Sequence, residues 1–194
     1  MESTAITINQ KAFLNCISLE EVDAIGCGLF GAENKAFVWN YNTDAKPSYF
    51  NPIESCPNLQ ILKLGVNDNI PNGFFNDATR KVSNLTTVAF PNVTSIESSA
   101  FKDLSFLENV LINVDTIENN VFENCSIKYI NENEDEGLYD LNISEIGNRA
   151  FAAETGKGVL ESINLTKEWE DKTIGIKLGE NAFLNAPLKK ISIS

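Results

Sequence analysis

The feature that most constrains the fold is an internal repeat, in which an Ile or Leu stands five residues before a Phe. Seven of the twelve Phe residues occupy this position, and Ala precedes the Phe in four of the copies. The pairs are Ile8 and Phe13, Ile25 and Phe30, Ile70 and Phe75, Ile96 and Phe101, Ile117 and Phe122, Ile146 and Phe151, and Leu178 and Phe183. Self-similarity of this kind predicts a stack of similar structural units.

A second motif follows the Phe in every unit except the second, where a long insertion intervenes. It reads Leu, two variable residues, an aliphatic residue, one variable residue and another apolar residue. Its copies begin at Leu59, Leu85, Leu107, Leu160 and Leu188, with truncated copies at Leu19 and Ile127. The alternation predicts a short half-buried strand. One unit cannot bury its own apolar face, so successive units must share one core. Amphipathic helices with accidental Phe spacing would not explain the fixed order of two motifs.

Composition excludes several classes of function. The net charge is −12, and no basic stripe is visible, so neither nucleic acid nor an anionic membrane surface is expected as a partner. No stretch approaches the roughly 20 apolar residues of a membrane span. The chain has no His, and its four Cys show no CxxC spacing. We therefore expect no His-based catalysis, no zinc site, no cofactor and no enzymatic activity.

The repeat resembles a known family. The run 88–101 (VAFPNVTSIESSAF) looks like the BspA-like bacterial leucine-rich repeat of microbial cell surfaces. Residues 12–19 (AFLNCISL) match the AF-x-N-C-x-x-L turn of that family, and 121–125 (VFENC) is a second instance. The resemblance covers residues 6 to 194 apart from insertions. It implies an α/β leucine-rich-repeat solenoid, which is a curved right-handed coil of about seven irregular repeats with a parallel β-sheet on the concave face. The opposite face should carry turns, 3₁₀ segments and short helical pieces around the Phe positions.

The resemblance also implies a function. A non-enzymatic interaction or adhesion module is expected, with a protein or glycan ligand, at the cell surface or outside the cell. A spacer that displays another domain is the alternative. The first residues carry no visible secretory leader. The protein is therefore either intracellular, or its leader is missing from this chain. Solenoids normally need capping units and none is evident, so the chain is expected to be one region of a longer protein.

The domain organisation is predicted as one repeat domain over 1–194, with insertions near 31–56, 131–143 and 166–177. The first insertion contains five aromatic residues, including Trp39 and Tyr41, and either caps the array or forms a recognition loop. Trp169 lies in the third insertion and is a candidate binding aromatic. The acidic run 131–136 contains oxygen ligands suited to Ca²⁺, but it lacks the EF-hand pattern, so a solvated insertion is favoured.

Strand parity predicts the binding face, because alternate side chains point away from the core. The candidate binding residues on this concave face are Lys63, Thr87, Asn109, Leu111, Tyr129, Ser162, Asn164 and Lys190. The same parity points Glu21, Asp23, Ile61, Ala89, Asn131 and Ser192 outward. The alternative is a solvated sheet without a ligand.

Three cysteines, Cys16, Cys56 and Cys125, fall in the turn before the strand, where a small side chain packs as a buried apolar group. A Cys16–Cys56 disulfide is left open, because the two residues occupy the same position in successive units. Cys27 falls at another position of the repeat and is expected to be exposed and unpaired.

Overall fold

The computed structural model describes residues 7–8, 12–25, 29–30, 39–40, 48–49, 56–65, 69–75, 84–133, 137–138, 141–166 and 175–193. In this part of the chain the regular structure consists of short strands, without a helix. The strands are Thr7–Ile8, Glu21–Ala24, Leu29–Phe30, Trp39–Asn40, Ser48–Tyr49, Ile61–Leu64, Asn69–Ile70, Thr87–Phe90, Ser95–Ile96, Asn109–Ile112, Thr116–Ile117, Tyr129–Ile130, Glu132–Asn133, Gly137–Leu138, Leu141–Asn142, Glu145–Ile146, Ser162–Thr166, Lys177–Leu178 and Lys190–Ile193.

The Leu-led motifs form parallel sheets, as predicted. Five of them make one sheet in the order 21–24, 61–64, 87–90, 109–112 and 129–130. Val22, Leu62, Val88, Val110 and Ile130 are successive partners in its register. Equivalent positions of successive repeats therefore lie side by side, and their aliphatic side chains are all buried.

The last two Leu-led motifs belong to a second, three-stranded parallel sheet in the order 141–142, 162–166 and 190–193. The interruption falls at the second insertion, which contains an antiparallel hairpin pairing Glu132–Asn133 with Gly137–Leu138. The chain then resumes a parallel strand at Leu141–Asn142. One sheet of about seven strands was expected, and the insertion divides it.

Asn131 shapes the point at which the chain leaves the five-stranded sheet. Its N–H donates to the carbonyl of Val110 (2.7 Å), and its side-chain Oδ1 accepts a hydrogen bond from the Ile112 N–H (2.8 Å). Its backbone is left-handed, with φ of 54°, which Asn tolerates better than most residues. The side chain thus supplies the acceptor for a strand N–H that would otherwise be buried without a partner.

A second parallel ladder runs through both halves. It consists of Asn69–Ile70, Ser95–Ile96, Thr116–Ile117, Glu145–Ile146 and Lys177–Leu178, which carry the Ile or Leu of the first motif. Because the ladder passes from 116–117 to 145–146 without a break, the two sheets belong to one continuous stack of units.

The second predicted unit is placed differently. Ile8 pairs with Phe30 in a short parallel ladder, and Ile25 directly follows strand Glu21–Ala24. Phe30 therefore occupies the Ile position of its unit, and the pairing of Ile25 with Phe30 as one motif was wrong. The five-residue spacing between Ile25 and Phe30 is therefore coincidental, because Phe30 aligns with Ile8 and not with Phe13.

The Phe residues of the last five units form one column of stacked rings. Successive centroids are 4.8 Å apart for Phe75 and Phe101, 5.2 Å for Phe101 and Phe122, 5.3 Å for Phe122 and Phe151, and 5.5 Å for Phe151 and Phe183, with interplanar angles of at most 19°. These distances are close to the spacing of neighbouring strands, about 4.8 Å, because each ring rides on its own coil. The shared core that the repeat predicted is therefore present.

Of the turns, 3₁₀ segments and short helical pieces that were expected around the Phe positions, the described residues form turns. Alternate N–H groups here donate to the next coil: Phe101 to Val121, Phe122 to Ala150 and Phe151 to Ala182 (2.8–3.0 Å). A helix would need these donors for bonds within its own segment. Residues two before or two after the Phe have positive φ: Asn15, Ser99, Asp103, Asn120, Asn124, Arg149, Asn181 and Asn185.

Candidate interaction surface

The outward side chains of the five-stranded sheet form two rows across neighbouring strands, which we call the sheet face. The first row comprises Glu21, Ile61, Thr87, Asn109 and Tyr129, and the second comprises Asp23, Lys63, Ala89 and Leu111. All of them except Ala89 are exposed or half-buried. The structure thus brings five predicted binding residues, Lys63, Thr87, Asn109, Leu111 and Tyr129, together on one surface.

Parity was wrong about the accessibility of two residues. Ala89 is buried, because its single methyl group does not reach past its larger neighbours in the row, Lys63 and Leu111. Asn131 is buried because its side chain binds the Ile112 N–H. Neither residue presents a side chain to a ligand.

The sheet face is chemically graded. At one end Lys63 Nζ lies 3.2 Å from Asp23 Oδ2 and 3.6 Å from Glu21 Oε1. The hydrogen bond to Asp23, together with the charges of both carboxylates, outweighs the opposing effect of burial and raises the pKa of Lys63. In the middle Asn109 Nδ2 donates to Thr87 Oγ1 (3.3 Å). At the other end Tyr129 is 44% exposed, beside half-buried Leu111 on the neighbouring strand.

The other three predicted residues lie on the three-stranded sheet. Ser162 and Asn164 are half-buried, and Lys190 is exposed. Ser162 pairs with Lys190 in the register. The predicted binding surface is therefore two groups of side chains on two sheets, and not one uninterrupted row.

Of the aromatic residues in the insertions, the described residues include the backbone of Trp39 and Tyr49. The backbone of Trp39–Asn40 pairs antiparallel with Ser48–Tyr49, with Trp39 opposite Tyr49. The side chain of Trp39 and the whole of Tyr41 and Trp169 lie outside the described residues. Their binding role stays a prediction.

The cysteines are free thiols in the part of the chain described here. Cys16 is half-buried, Cys56 and Cys125 are buried, and no disulfide joins Cys16 to Cys56. The Cys56 thiol donates to the carbonyl of Phe13 (3.1 Å), and the Cys125 thiol donates to that of Phe101 (3.0 Å). Cys27 lies outside the described residues.

Among the described residues no cluster of three or more His, Cys, Asp or Glu is suited to a metal ion. Within the acidic run 131–136, the structure describes residues 131–133, whereas 134–136 lie outside the described residues. A Ca²⁺ role for that run is therefore untested.

An ion network next to the Phe column was missed by the sequence reasoning. The Glu123 carboxylate is 7% exposed and accepts hydrogen bonds from Arg149 Nε (2.8 Å) and Asn120 Nδ2 (2.8 Å), and Lys102 Nζ lies 2.8 Å away. Burial alone would raise the pKa of Glu123, but the bonds from Lys102, Arg149 and Asn120 outweigh it and lower the pKa. The network ties three successive units together. Its only signal was a charged residue after each of Phe101 and Phe122.

A cleft of about 230 Å³, whose lining residues are mostly of polar types, was also missed. Its lining comprises Asp103, Ser105, Asn124, Cys125, Ser126, Ala153, Glu154 and Lys157. Asn124 Nδ2 donates to Asp103 Oδ1 (2.8 Å), and Ser126 Oγ donates to the carbonyl of Ser105 (2.8 Å). The cleft therefore has polar groups that pair with one another across neighbouring coils.

Comparison with known proteins agrees with the repeat architecture. The family model of the BspA type leucine rich repeat region matches six copies over residues 69–194. The chain belongs to this family. No curated protein and no solved structure matches the chain. Parallel ladders without helices in the described residues fit a leucine-rich-repeat solenoid. The family is in general a non-enzymatic, protein-binding repeat, which places this chain among interaction modules.

Nothing in the described residues suits a membrane-spanning helix.

Proposed function

We propose that this region is a non-enzymatic binding module on a microbial cell surface, and that it holds a protein or glycan ligand on the sheet face. The observation that carries the proposal is the gradation of side chains across the two rows of the parallel sheet. Leu111 and Tyr129 lie on neighbouring strands and supply accessible apolar surface. Thr87 and Asn109 offer hydrogen bonds, and Lys63 lies in a charged cluster. Exposed aromatic groups beside polar ones are typical of the centre of binding surfaces.

Rigidity supports the same proposal. Each strand of the sheet face is held by its neighbours in register, and the buried side chains beneath it are packed against the column of Phe rings. A ligand bound there would not have to order the backbone of its receptor, and ordering lowers affinity. Ser162, Asn164 and Lys190 extend the proposed surface onto the three-stranded sheet for a large ligand.

The test is an array of purified extracellular-matrix proteins and glycans, probed with the labelled 194-residue chain. The double variant Leu111→Ser/Tyr129→Ala removes the accessible apolar surface, and Lys63→Ala removes the cation. We expect the double variant to weaken any ligand identified on the array by at least about tenfold, which corresponds to about 1.4 kcal/mol. The matched control is Phe106→Ser/Lys157→Ala, since both residues are exposed and lie away from the sheet face.

The proposal fails for the sheet face if the control weakens binding as much as the double variant does. It fails for a binding function altogether if the chain binds no component of the array. The second outcome would favour a spacer, for which the unbroken Phe column is the supporting observation, because a stack of units linked by backbone hydrogen bonds is stiff. Surface location is tested separately by protease treatment of intact cells that express the full-length gene.

A further inference from the structure

Two of the free thiols lie at the same position of neighbouring coils. Strand Glu21–Ala24 pairs in register with strand Ile61–Leu64, and Cys16 and Cys56 each stand five residues before the first residue of their strand. In both coils the N–H of the strand Leu donates to the carbonyl of the Cys three residues earlier (3.0 and 3.2 Å). The two cysteines therefore belong to equivalent turns that lie side by side.

The Cys56 thiol is directed at the turn that contains Cys16. It donates to the carbonyl of Phe13 (3.1 Å), and the Cys16 N–H donates to the same oxygen (3.0 Å). Asn58 Nδ2 reaches across the same two coils and donates to the carbonyl of Ile17 (2.6 Å). The two turns are thus hydrogen-bonded to each other both before and after the cysteines.

The surroundings of the Cys56 thiol also show how close Cys16 is. Burial is the largest effect and raises the pKa of Cys56, the Cys16 N–H opposes that effect, and the Cys16 thiol adds a smaller increase. Neighbouring parallel strands lie about 4.8 Å apart, and the Cα atoms of a disulfide are usually about 4.4–6.8 Å apart. Successive coils are therefore spaced as a disulfide between them requires.

Cys125 has the same geometry without a second thiol. Its Sγ donates to the carbonyl of Phe101 (3.0 Å), and the Leu104 N–H donates to the same oxygen (3.3 Å). Leu104 thus stands to Cys125 as Cys16 stands to Cys56. Of the thiols that the structure describes, only Cys16 and Cys56 are placed against each other in this way.

We propose that Cys16 and Cys56 are the site of a reversible disulfide, which a disulfide oxidant such as oxidised glutathione forms in the folded chain. The thiolate of Cys16, the more accessible of the two residues, attacks one sulfur of the oxidant, and one reduced glutathione leaves. The Cys56 thiol then loses its proton and attacks the Cys16 sulfur of the mixed disulfide, so the second glutathione leaves. Two electrons and two protons pass from the protein thiols to the two glutathione molecules.

The disulfide joins the first coil to the second across the first insertion. The loop between the two cysteines contains that insertion with Trp39 and Tyr41. A cross-link that closes a long loop stabilises a folded chain by restricting its unfolded state. Oxidation therefore fixes the two ends of the inserted segment to each other, whatever the segment binds.

The experiment uses the 194-residue chain with Cys27→Ser, so that tryptic peptide 12–35 contains a single cysteine. The chain is equilibrated in buffers of reduced and oxidised glutathione, its remaining thiols are blocked with iodoacetamide in urea, and its peptides are identified by mass spectrometry. We expect peptide 12–35 linked to peptide 36–63, and peptide 103–128 with a blocked Cys125. The folded chain should form the link at a ratio of reduced to oxidised glutathione at least about tenfold higher than the chain in urea does.

The matched controls are Cys16→Ser and Cys56→Ser, each of which should abolish the link. Oxidation should also raise the urea midpoint of the Cys27→Ser chain and leave that of the Cys16→Ser control unchanged. Glutathione adducts at equilibrium without the internal link overturn the proposal, as do links to Cys125 in equal yield. A urea midpoint that falls on oxidation also overturns it, because the coils would then have to be strained to reach each other.

A transplant tests the position with different residues. Leu104→Cys places a thiol where Cys16 stands relative to Cys56, so it should form a disulfide with Cys125 and lower the mass of peptide 103–128 by two hydrogen atoms. Phe106→Cys, at an exposed position two residues later, should leave Cys125 unlinked. Equal linking in the two variants contradicts the positional argument. Far-UV circular dichroism checks the fold of each variant, and the mapping of Cys16 and Cys56 does not depend on the transplant.

Discussion

The Phe column makes a quantitative prediction about stability, because its members differ in how many neighbours they touch. Phe122 is 1% exposed and lies between two rings, at 5.2 Å from Phe101 and 5.3 Å from Phe151. Truncating a buried Phe to Ala costs about 3–5 kcal/mol, and stacked aromatic pairs contribute about 0.5–1.5 kcal/mol beyond their area. Phe122→Ala should therefore lower the free energy of unfolding by about 4 kcal/mol.

Two other Phe residues serve as comparisons. Phe183 is half-buried and stacks in the column on Phe151 alone, so Phe183→Ala should cost about 2 kcal/mol. Phe106 is 57% exposed, and Phe106→Ala should cost less than about 0.5 kcal/mol.

Urea unfolding followed by far-UV circular dichroism measures all three variants on one scale. We expect the largest loss in the free energy of unfolding for Phe122→Ala, a smaller loss for Phe183→Ala and the smallest for Phe106→Ala. Equal losses for Phe122→Ala and Phe106→Ala would refute the claim that successive coils share one column of rings. A loss for Phe183→Ala as large as that for Phe122→Ala would contradict the nearest-neighbour reasoning, even if the column exists.

Three further predictions concern single interactions. Because the pKa of Glu123 is lowered in the folded chain, its carboxylate stabilises the fold above the unfolded pKa of about 4.5, and this stabilisation is lost as the pH falls below that value. Glu123→Gln should therefore lower the free energy of unfolding by about 1–3 kcal/mol at pH 7, and by less when unfolding is measured at about pH 3. Asn131→Ala should lower the free energy of unfolding in urea by about 2 kcal/mol, because it leaves the Ile112 N–H without an acceptor and places Ala at positive φ. Asn131→Asp keeps the acceptor and should cost less, and equal costs for the two variants would contradict the hydrogen-bond argument. Burial raises the pKa of the Cys125 thiol, so peptide mapping after brief iodoacetamide treatment at about pH 8 should find Cys16 labelled and Cys125 unlabelled until the chain is unfolded; early labelling of Cys125 would show that its coil opens locally.

Much of the fold follows from local pattern. The Leu-led alternation identified the strands, because a period of two buries one face whatever the neighbours are, and Val88 and Val110 pair as that pattern requires. The repeated Phe identified a shared core, and the family assignment was readable from the same residues. Five of the eight binding residues that strand parity predicted lie together on the sheet face for the same reason.

The remaining features depend on which coil lies next to which. Parity could not bury Ala89, because that depends on the larger side chains beside it in the row. It could not reveal that Asn131 ends a strand, or that Phe30 pairs with Ile8, since an insertion changes the partner without changing the spacing.

The turns at the Phe positions were set by the stack as well. Turns, 3₁₀ segments and short helical pieces were all expected there, and turns form because alternate N–H groups of these segments bond to the neighbouring coil. Periodicity along the chain determines which face of a strand is apolar. The neighbours of a residue are set only when distant segments meet. These neighbours determine the burial of the residue, its hydrogen bonds and the charge it faces, so the tertiary structure alone decided those features.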